Sequence, residues 1–533
     1  MKNKPRLRLL AALSAALMLQ MPGAAAFSVP AQAADSGTQS GAGDADGSGQ
    51  TDVADIVLLQ KYILGLPVPE SHALHTCDLD SDGAVDVIDL GLLKRLVLAG
   101  TAPDPEQPTE PDIPTEPTTE PPTEPDVPTE PDTSYIPATV SQFGNFTPSS
   151  GECRMLTICV DFADTHYSDE ALAVDALEAE LYGNSGQAPY ESLTAWYDRA
   201  SYGNLHISGS AFYYTCQGNM TDYMPEGRLF EKMAMEVLSG LDSQINYADY
   251  DGNGDGVIDC IAFTVPLDNA DDAAKEYWWG CTATWWENPG FTVDGMEITK
   301  YMIIDLPPYA SQMQGLKSQL THEMGHSIGL PDYYLYNSSD DWEGFKGDAG
   351  HERMDDSIGD FSSFSKLMYG WLRESEVQWY SGSSEQTFTL KDASEQGSCL
   401  ILPISSTPGD VTSEYFIVEY TTLGGNNAEL ANWWIQDTGV RIFHVNAELY
   451  TTSWGDTNFM YEGFGENYMG DDKIRVARLV NDGNGFYHAG DVCTFGTTNF
   501  AAYDTDGNQT VDTGYTVTIG ELTDGAYTVT VSR

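Results

Sequence analysis

Basic side chains are scarce in this 533-residue chain: 24 Lys and Arg stand against 81 Asp and Glu, a formal charge of −57. A surface so short of cations excludes nucleic acid as a partner, because phosphates must be met by Lys and Arg. The same deficit disfavours an anionic membrane surface. Long apolar runs are missing as well. The stretch from Leu9 to Leu19 falls short of the roughly 18 apolar residues a span requires, so no membrane span is expected. The eight cysteines include no C-x-x-C pair, which argues against a thiolate zinc site or a redox motif and leaves them structural at most. Hydrophobic content of 41% with 11% aromatics nonetheless suffices for real cores, so wholesale disorder is excluded.

What is present falls into segments. Lys2, Lys4, Arg6 and Arg8 precede the apolar stretch, and Ala31-Gln32-Ala33 fits an A-x-A cleavage site. Residues 1–33 therefore read as a secretory signal, and the mature protein is expected to be secreted and extracellular. Residues 102–133 hold eleven prolines and ten acids with no Lys or Arg. Such a segment cannot bury a core, so 101–134 is expected to be an extended, self-repelling linker. The remaining residues, from Tyr135 to Arg533, exceed what one compact core normally holds, and two cores are expected. Helical and strand patterns mix over 150–375, within a domain expected over 135–375. Beyond Glu376 the pattern turns to short alternating strands, among them Gln386–Leu390, Tyr415–Tyr420, Gly439–Val445 and Tyr527–Ser532. Residues 376–533 therefore read as a sandwich-like all-β domain.

Between signal and linker lies a repeat. Asp44, Asp46, Ser48, Gln50 and Asp55 are matched, 34 residues on, by Asp78, Asp80, Asp82, Ala84 and Asp89. Calcium takes six to eight oxygen ligands, which short-spaced aspartates and one backbone carbonyl supply. Gly83 allows the sharp turn in the second loop, and position 12 is Asp in both, where an EF-hand carries Glu. Each loop feeds an amphipathic stretch. The duplicated loop-plus-helix over 44–100 resembles the dockerin module, a small all-α calcium-loop fold. That resemblance implies calcium-dependent folding and docking onto the cohesin domain of a cellulosome-like scaffold. It also implies that Gln60-Lys61 and Lys94-Arg95 contact the cohesin.

The densest chemistry is Thr321-His322-Glu323-Met324-Gly325-His326, followed by Gly329, Pro331 and Asp332. Histidines four apart share one face of a helix and can hold Zn²⁺ through neutral imidazole. Glu323 lies beside them as a general base. Gly329 can take a positive φ and end the helix, Pro331 prevents its resumption, and Asp332 can swing back as third ligand. Three protein ligands leave a fourth position for water, as a catalytic zinc site requires. Asp348, His351 and Glu352 compete with Asp332 for the third place.

This motif resembles the metzincin-like peptidases with Asp in place of the third His, and more closely the immune-inhibitor-A type of secreted bacterial metallopeptidase. Ser192–Ile207 is similar to that family's segment before the site. Arg353-Met354-Asp355 lies where the family has its Met-turn, and Phe364–Trp371 is similar to the helix that follows. Glu414–Tyr420 and Val440–Val445 look like strands of its β-rich part. The resemblance implies an α+β zinc peptidase domain, with Met354 as a hydrophobic floor under the metal.

Four further features are weaker. Asp251, Asn253, Asp255 and Asp259 form a short acidic loop without an acid at position 12, which fits a structural calcium loop rather than an EF-hand. Asp504–Asn508 reads as a hairpin turn. His444 sits in an alternating strand and is expected to be structural. Tyr333 and Tyr369 are candidates for an oxyanion donor.

The expected activity is hydrolysis of a protein or peptide by a zinc metalloendopeptidase, tethered through its dockerin. A non-catalytic scaffold-bound binding protein is the alternative from a different class. A carbohydrate-active enzyme is a third, suggested only by the company dockerins keep.

Overall fold

The computed structural model describes residues 134–533 except 145–146, 168–169, 184–191, 224–229, 268–269, 271–277, 279, 306–312, 335–351, 356–357, 383, 405–406, 433–436, 454, 462–473 and 482–484. Before residue 134 it describes residues 45, 51, 55, 58, 59, 61, 74–77, 79, 85 and 93. The chain divides into two units, residues 1–127 and 128–533.

In the first unit Ala45, Leu59, Cys77 and Leu93 are buried together, with Leu58, Leu79 and Val85 packed against them. Leu74–Cys77 form a 3-10 turn. This small apolar cluster gathers residues from both repeats. The expected signal over 1–33 lies outside the described residues, as does the linker except for Ser134.

The second unit is a mixed, sheet-rich fold with few helices. Its first sheet contains β1 (Gly151–Asp161), β2 (Leu205–Thr215), β3 (Cys260–Val265), β4 (Cys281–Thr284) and β5 (Lys300–Asp305), ordered β2-β1-β3-β5-β4. The first four in that order run parallel, and the edge strand β4 is antiparallel to β5. Both faces are covered, so period two assigns alternate residues to different cores. Met155, Ala262, Met302 and Ile304 face one layer. Leu156, Ile158, Phe263 and Ile303 face the other.

Helices α1 (Glu170–Tyr182), α2 (Leu193–Ala200) and α4 (Met313–Ile328) cover the first face, and α3 (Glu231–Leu241) covers the second. Ser192 starts α2 by accepting the Ala195 N–H in its side chain, and Ser362 does the same for the six-residue α5 (Ser363–Met368) through Ser365.

The expected strands beyond residue 376 are present, and two sheets form from them. One contains β6 (Val377–Trp379), β8 (Cys399–Pro403), β9 (Glu414–Thr421), β10 (Gly439–Asn446) and β11 (Ala477–Leu479). The other joins β7 (Gln386–Lys391), β12 (Val492–Thr494), β13 (Thr516–Thr523) and β14 (Ala526–Ser532). Leu400, Phe416, Val418 and Ile442 meet Leu390, Val517, Val529 and Val531 between them, which makes a sandwich.

Two cores meeting at 375/376 do not describe the packing. The opposite face of the β8–β10 sheet, through Ile401, Ile417, Phe443 and Val445, shares one core with Met324, Met354, Phe364 and Leu367. Three layers of apolar packing thus run through residues 134–533, and the middle one crosses the boundary where the sequence pattern changes. Buried polar bonds cross it as well. Glu419 of β9 accepts the Ser363 N–H at the start of α5 and pairs with Arg441 of β10. No described helix is long and apolar enough to cross a membrane.

Candidate metal centre

Helix α4 carries His322 and His326 one turn apart on one face. It ends at Gly329, whose φ of 136° is open to glycine and strained for other residues. The N–H groups of Gly329 and Leu330 both donate to the Gly325 carbonyl, at 3.0 and 3.1 Å, and close the last turn. The chain then reverses. Tyr333 N–H donates to the Met354 carbonyl at 2.7 Å, which anchors the returning segment and brings Asp332 over the helix face.

Three ligand atoms converge there: His322 Nε2 to Asp332 Oδ1 is 2.9 Å, His326 Nε2 to Asp332 Oδ1 is 3.2 Å, and the two Nε2 atoms are 3.1 Å apart. A tetrahedral ion with bonds of about 2.0–2.1 Å has ligand–ligand edges of about 3.3–3.4 Å, so the triangle needs only a few tenths of an ångström of expansion. The tautomers also fit. His322 Nδ1 lies 2.9 Å from the Arg353 carbonyl and His326 Nδ1 2.7 Å from the Leu330 carbonyl. A carbonyl only accepts, so each Nδ1 carries the proton, and neutral rings then turn bare Nε2 lone pairs toward a carboxylate. Three converging acceptors call for a cation between them. With protons as the only cations, burial opposes charge on His326, yet the Asp332 carboxylate overrides it and raises His326 to about 9. Burial alone would raise Asp332 too, but charge on His326 and hydrogen bonds from both rings hold it well below the usual carboxylate range.

The helix turn bearing the motif is fixed by side chains from several elements. Tyr197 of α2 donates to the Thr321 carbonyl at 2.7 Å, Tyr369 to the Gly325 carbonyl at 3.0 Å, and Lys300 of β5 to the His326 carbonyl at 3.1 Å. Thr282 of β4 lies 2.8 Å from the Glu323 carbonyl and 2.9 Å from its Oε2. Glu323 itself is only 7% exposed.

Below the helix, Met354 is fully buried. A Cβ built on Gly325 would stand 2.5 Å from the Met354 sulfur, so the thioether occupies the space a side chain at 325 would take. Glu352, one alternative for third ligand, instead accepts N–H bonds from Met354 and Ser362 and the Ser365 hydroxyl. It shapes the turn that offers the Arg353 carbonyl to His322. Asp348 and His351 lie outside the described residues. Neither tyrosine proposed for the oxyanion serves: Tyr369 is spent on Gly325 and Tyr333 bonds Ser365 Oγ at 3.1 Å, both rings buried. Sequence alone did not point to Thr282 or to Tyr334, whose ring stacks by His322 at 6.2 Å, and it marked Arg353 only as part of the Met-turn, without its carbonyl's bond to His322. Proximity of Tyr334 to Asp332 in the chain was the available signal; Thr282 offered none.

The other expected residues are dispersed. Asp251 accepts N–H bonds from Gly254, Asp255 and Gly256, and Asn253 and Asp255 cap the same loop. Asp259 is buried, with Oδ2 accepting the Arg154 and Gly252 N–H groups while Oδ1 has no hydrogen-bond partner. Asp504 closes a hairpin turn by accepting the Asp506 and Asn508 N–H groups. His444 is buried between Glu414 and Gln509 at 2.8 and 2.7 Å, a structural link as expected. The buried thiols of Cys153, Cys159, Cys260 and Cys399 carry no disulfide; burial pushes Cys159 and Cys260 up to about 12.

Of the repeat's expected residues, Asp55 is buried and helical and Lys61 is helical and exposed. Asp44, Asp46, Ser48, Gln50, Asp78, Asp80, Asp82, Ala84, Asp89, Gln60, Lys94 and Arg95 lie outside the described residues.

No curated protein matches the chain. Residues 42–98 match the dockerin type I domain, within two residues of the limits expected from the repeat. Dockerin domains bind calcium and dock onto cohesin domains, so the match gives tethering to a scaffold a basis independent of the metal centre. The chain carries a dockerin type I domain at residues 42–98.

Proposed function

We propose that this protein is a secreted zinc-dependent endopeptidase, held on a cohesin-bearing scaffold by its dockerin. The observation that carries the reading is the convergence of His322, His326 and Asp332, whose ligand atoms lie within 3.2 Å of one another. When bound, zinc supplies Lewis acidity toward a carbonyl and acidifies a water.

The chain's own residues supply the rest. The Arg353 and Leu330 carbonyls fix both imidazoles with Nε2 inward. Glu323, one residue from His322 on the same helix, takes the proton of the attacking water on its carboxylate and returns it to the leaving amine. The substrate class is supported by β4. Among the described residues it is the edge strand of its sheet, the position at which an extended peptide would add as a further strand, and its Thr282 lies against Glu323.

Casein cleavage by the purified full chain tests the reading. Activity lost on chelation and restored by zinc is the expected result. Bound zinc with no cleavage would favour the non-catalytic binding protein instead.

A further inference from the structure

We propose that Thr282 is a positioning residue for Glu323, holding its carboxylate in the reactive orientation both when it is charged and when it carries the transferred proton. The inference rests on the peptidase reading above and extends it to a residue on a different element.

Thr282 sits in the edge strand β4, opposite Met302 of β5. Its hydroxyl oxygen is within bonding distance of two acceptors on one residue, the Glu323 carbonyl at 2.8 Å and Glu323 Oε2 at 2.9 Å. A hydroxyl has one proton and two lone pairs, so it cannot donate fully to both at once. With Glu323 ionised, the hydroxyl proton goes to Oε2. With the proton on Oε2, that group donates to Oγ1 and the hydroxyl proton turns to the helix carbonyl. Either state is satisfied by rotation about one C–O bond, and no heavy atom moves. The proton that Glu323 takes from water leaves again with the amine, while Thr282 keeps its own throughout. Glu323 must serve first as base and then as acid, and a partner that suits only one form would oppose the other half of the reaction.

The placement joins two functions. The edge strand at which an extended substrate would add is also the strand whose Thr282 orients the base.

Full-length Thr282→Val and Thr282→Ser are compared with wild type for zinc content, melting temperature, Glu323 conformation by crystallography, and kcat and KM on fluorescein-labelled casein. Removing a hydrogen bond to a charged group is expected to lower kcat about 10- to 100-fold in Thr282→Val. KM should stay within about twofold, zinc content and melting should be unchanged, and the Glu323 carboxylate should turn away from residue 282. Thr282→Ser should keep most of the wild-type kcat. Wild-type kcat in Thr282→Val overturns the proposal. Equal losses in Val and Ser variants, or loss of zinc or of thermal stability, make Thr282 a packing residue and overturn it too. An inactive wild type overturns the peptidase reading and this proposal with it, an outcome distinct from an active wild type indifferent to residue 282.

Discussion

The Nε2 atoms of His322 and His326 stand 3.1 Å apart, and each ring has its Nδ1 turned to a backbone carbonyl. Neutral rings in those tautomers have no proton to share between them, and one carboxylate oxygen of Asp332 lies 2.9 and 3.2 Å from the two nitrogens. The grouping makes sense as a cation cage whose rings are oriented before the ion arrives.

Asp332→Ala removes the one anionic member of that cage. Zinc affinity is expected to fall by more than about 100-fold, measured by competition with a chromogenic chelator. Unchanged affinity would move the third ligand elsewhere, with Asp348 or His351 next in line.

Gly325 and Met354 make a second local prediction. Because an added Cβ would stand 2.5 Å from the Met354 sulfur, Gly325→Ala must displace the Met354 side chain. Overpacking of this kind costs about 1–3 kcal/mol, which denaturant unfolding would read directly. Wild-type stability in the variant would show that Met354 yields freely and supports nothing.

The acidic loop offers a pH test. Burial raises Asp259 to about 6, with Asp251 and Asp255 adding to it, against the hydrogen bonds from Arg154 and Gly252 N–H. Between about 4 and about 6 the folded chain keeps a proton that the unfolded chain has lost, so stability in chelator should fall as pH rises through that window and level off above it. Asp259→Asn should lack this slope. Saturating calcium, by placing positive charge among the same carboxylates, should abolish it in the wild type. A wild-type profile in chelator without the slope would contradict the assignment.

Calcium and zinc should also act separately. Chelation selective for calcium is expected to abolish cohesin binding through residues 42–98 while leaving zinc bound, read by cohesin pull-down and metal analysis on the same sample. Persistent cohesin binding in excess chelator would contradict the calcium-loop reading of the repeat.

Much of this was legible in the sequence because its signals are local. The four-residue histidine spacing, the helix-ending glycine and the returning aspartate all fall within eleven residues, and each occupies its expected place on or after α4. Alternation likewise located β7, β9, β10 and β14. Long-range pairings were not legible. Thr282 reaches Glu323 across 41 residues, and nothing in the short strand Cys281–Thr284 marks one hydroxyl for a helix still to come. The shared middle core escaped for the same reason. Strands β8, β9 and β10 are buried on both faces, so their runs of apolar residues do not say that one face meets helices and the other a second sheet. Lys366 is the sharpest case: a charged side chain in α5, fully buried and paired with Asp360 at 2.8 Å, where residue type alone predicts solvent.

Metal analysis of the purified full chain, run alongside casein cleavage for wild type and Glu323→Gln, tests the central claim most directly. The account predicts about one zinc per chain in both proteins and cleavage by the wild type alone. A chain that binds no zinc, or a Glu323→Gln protein that cleaves casein as fast as wild type, would contradict it.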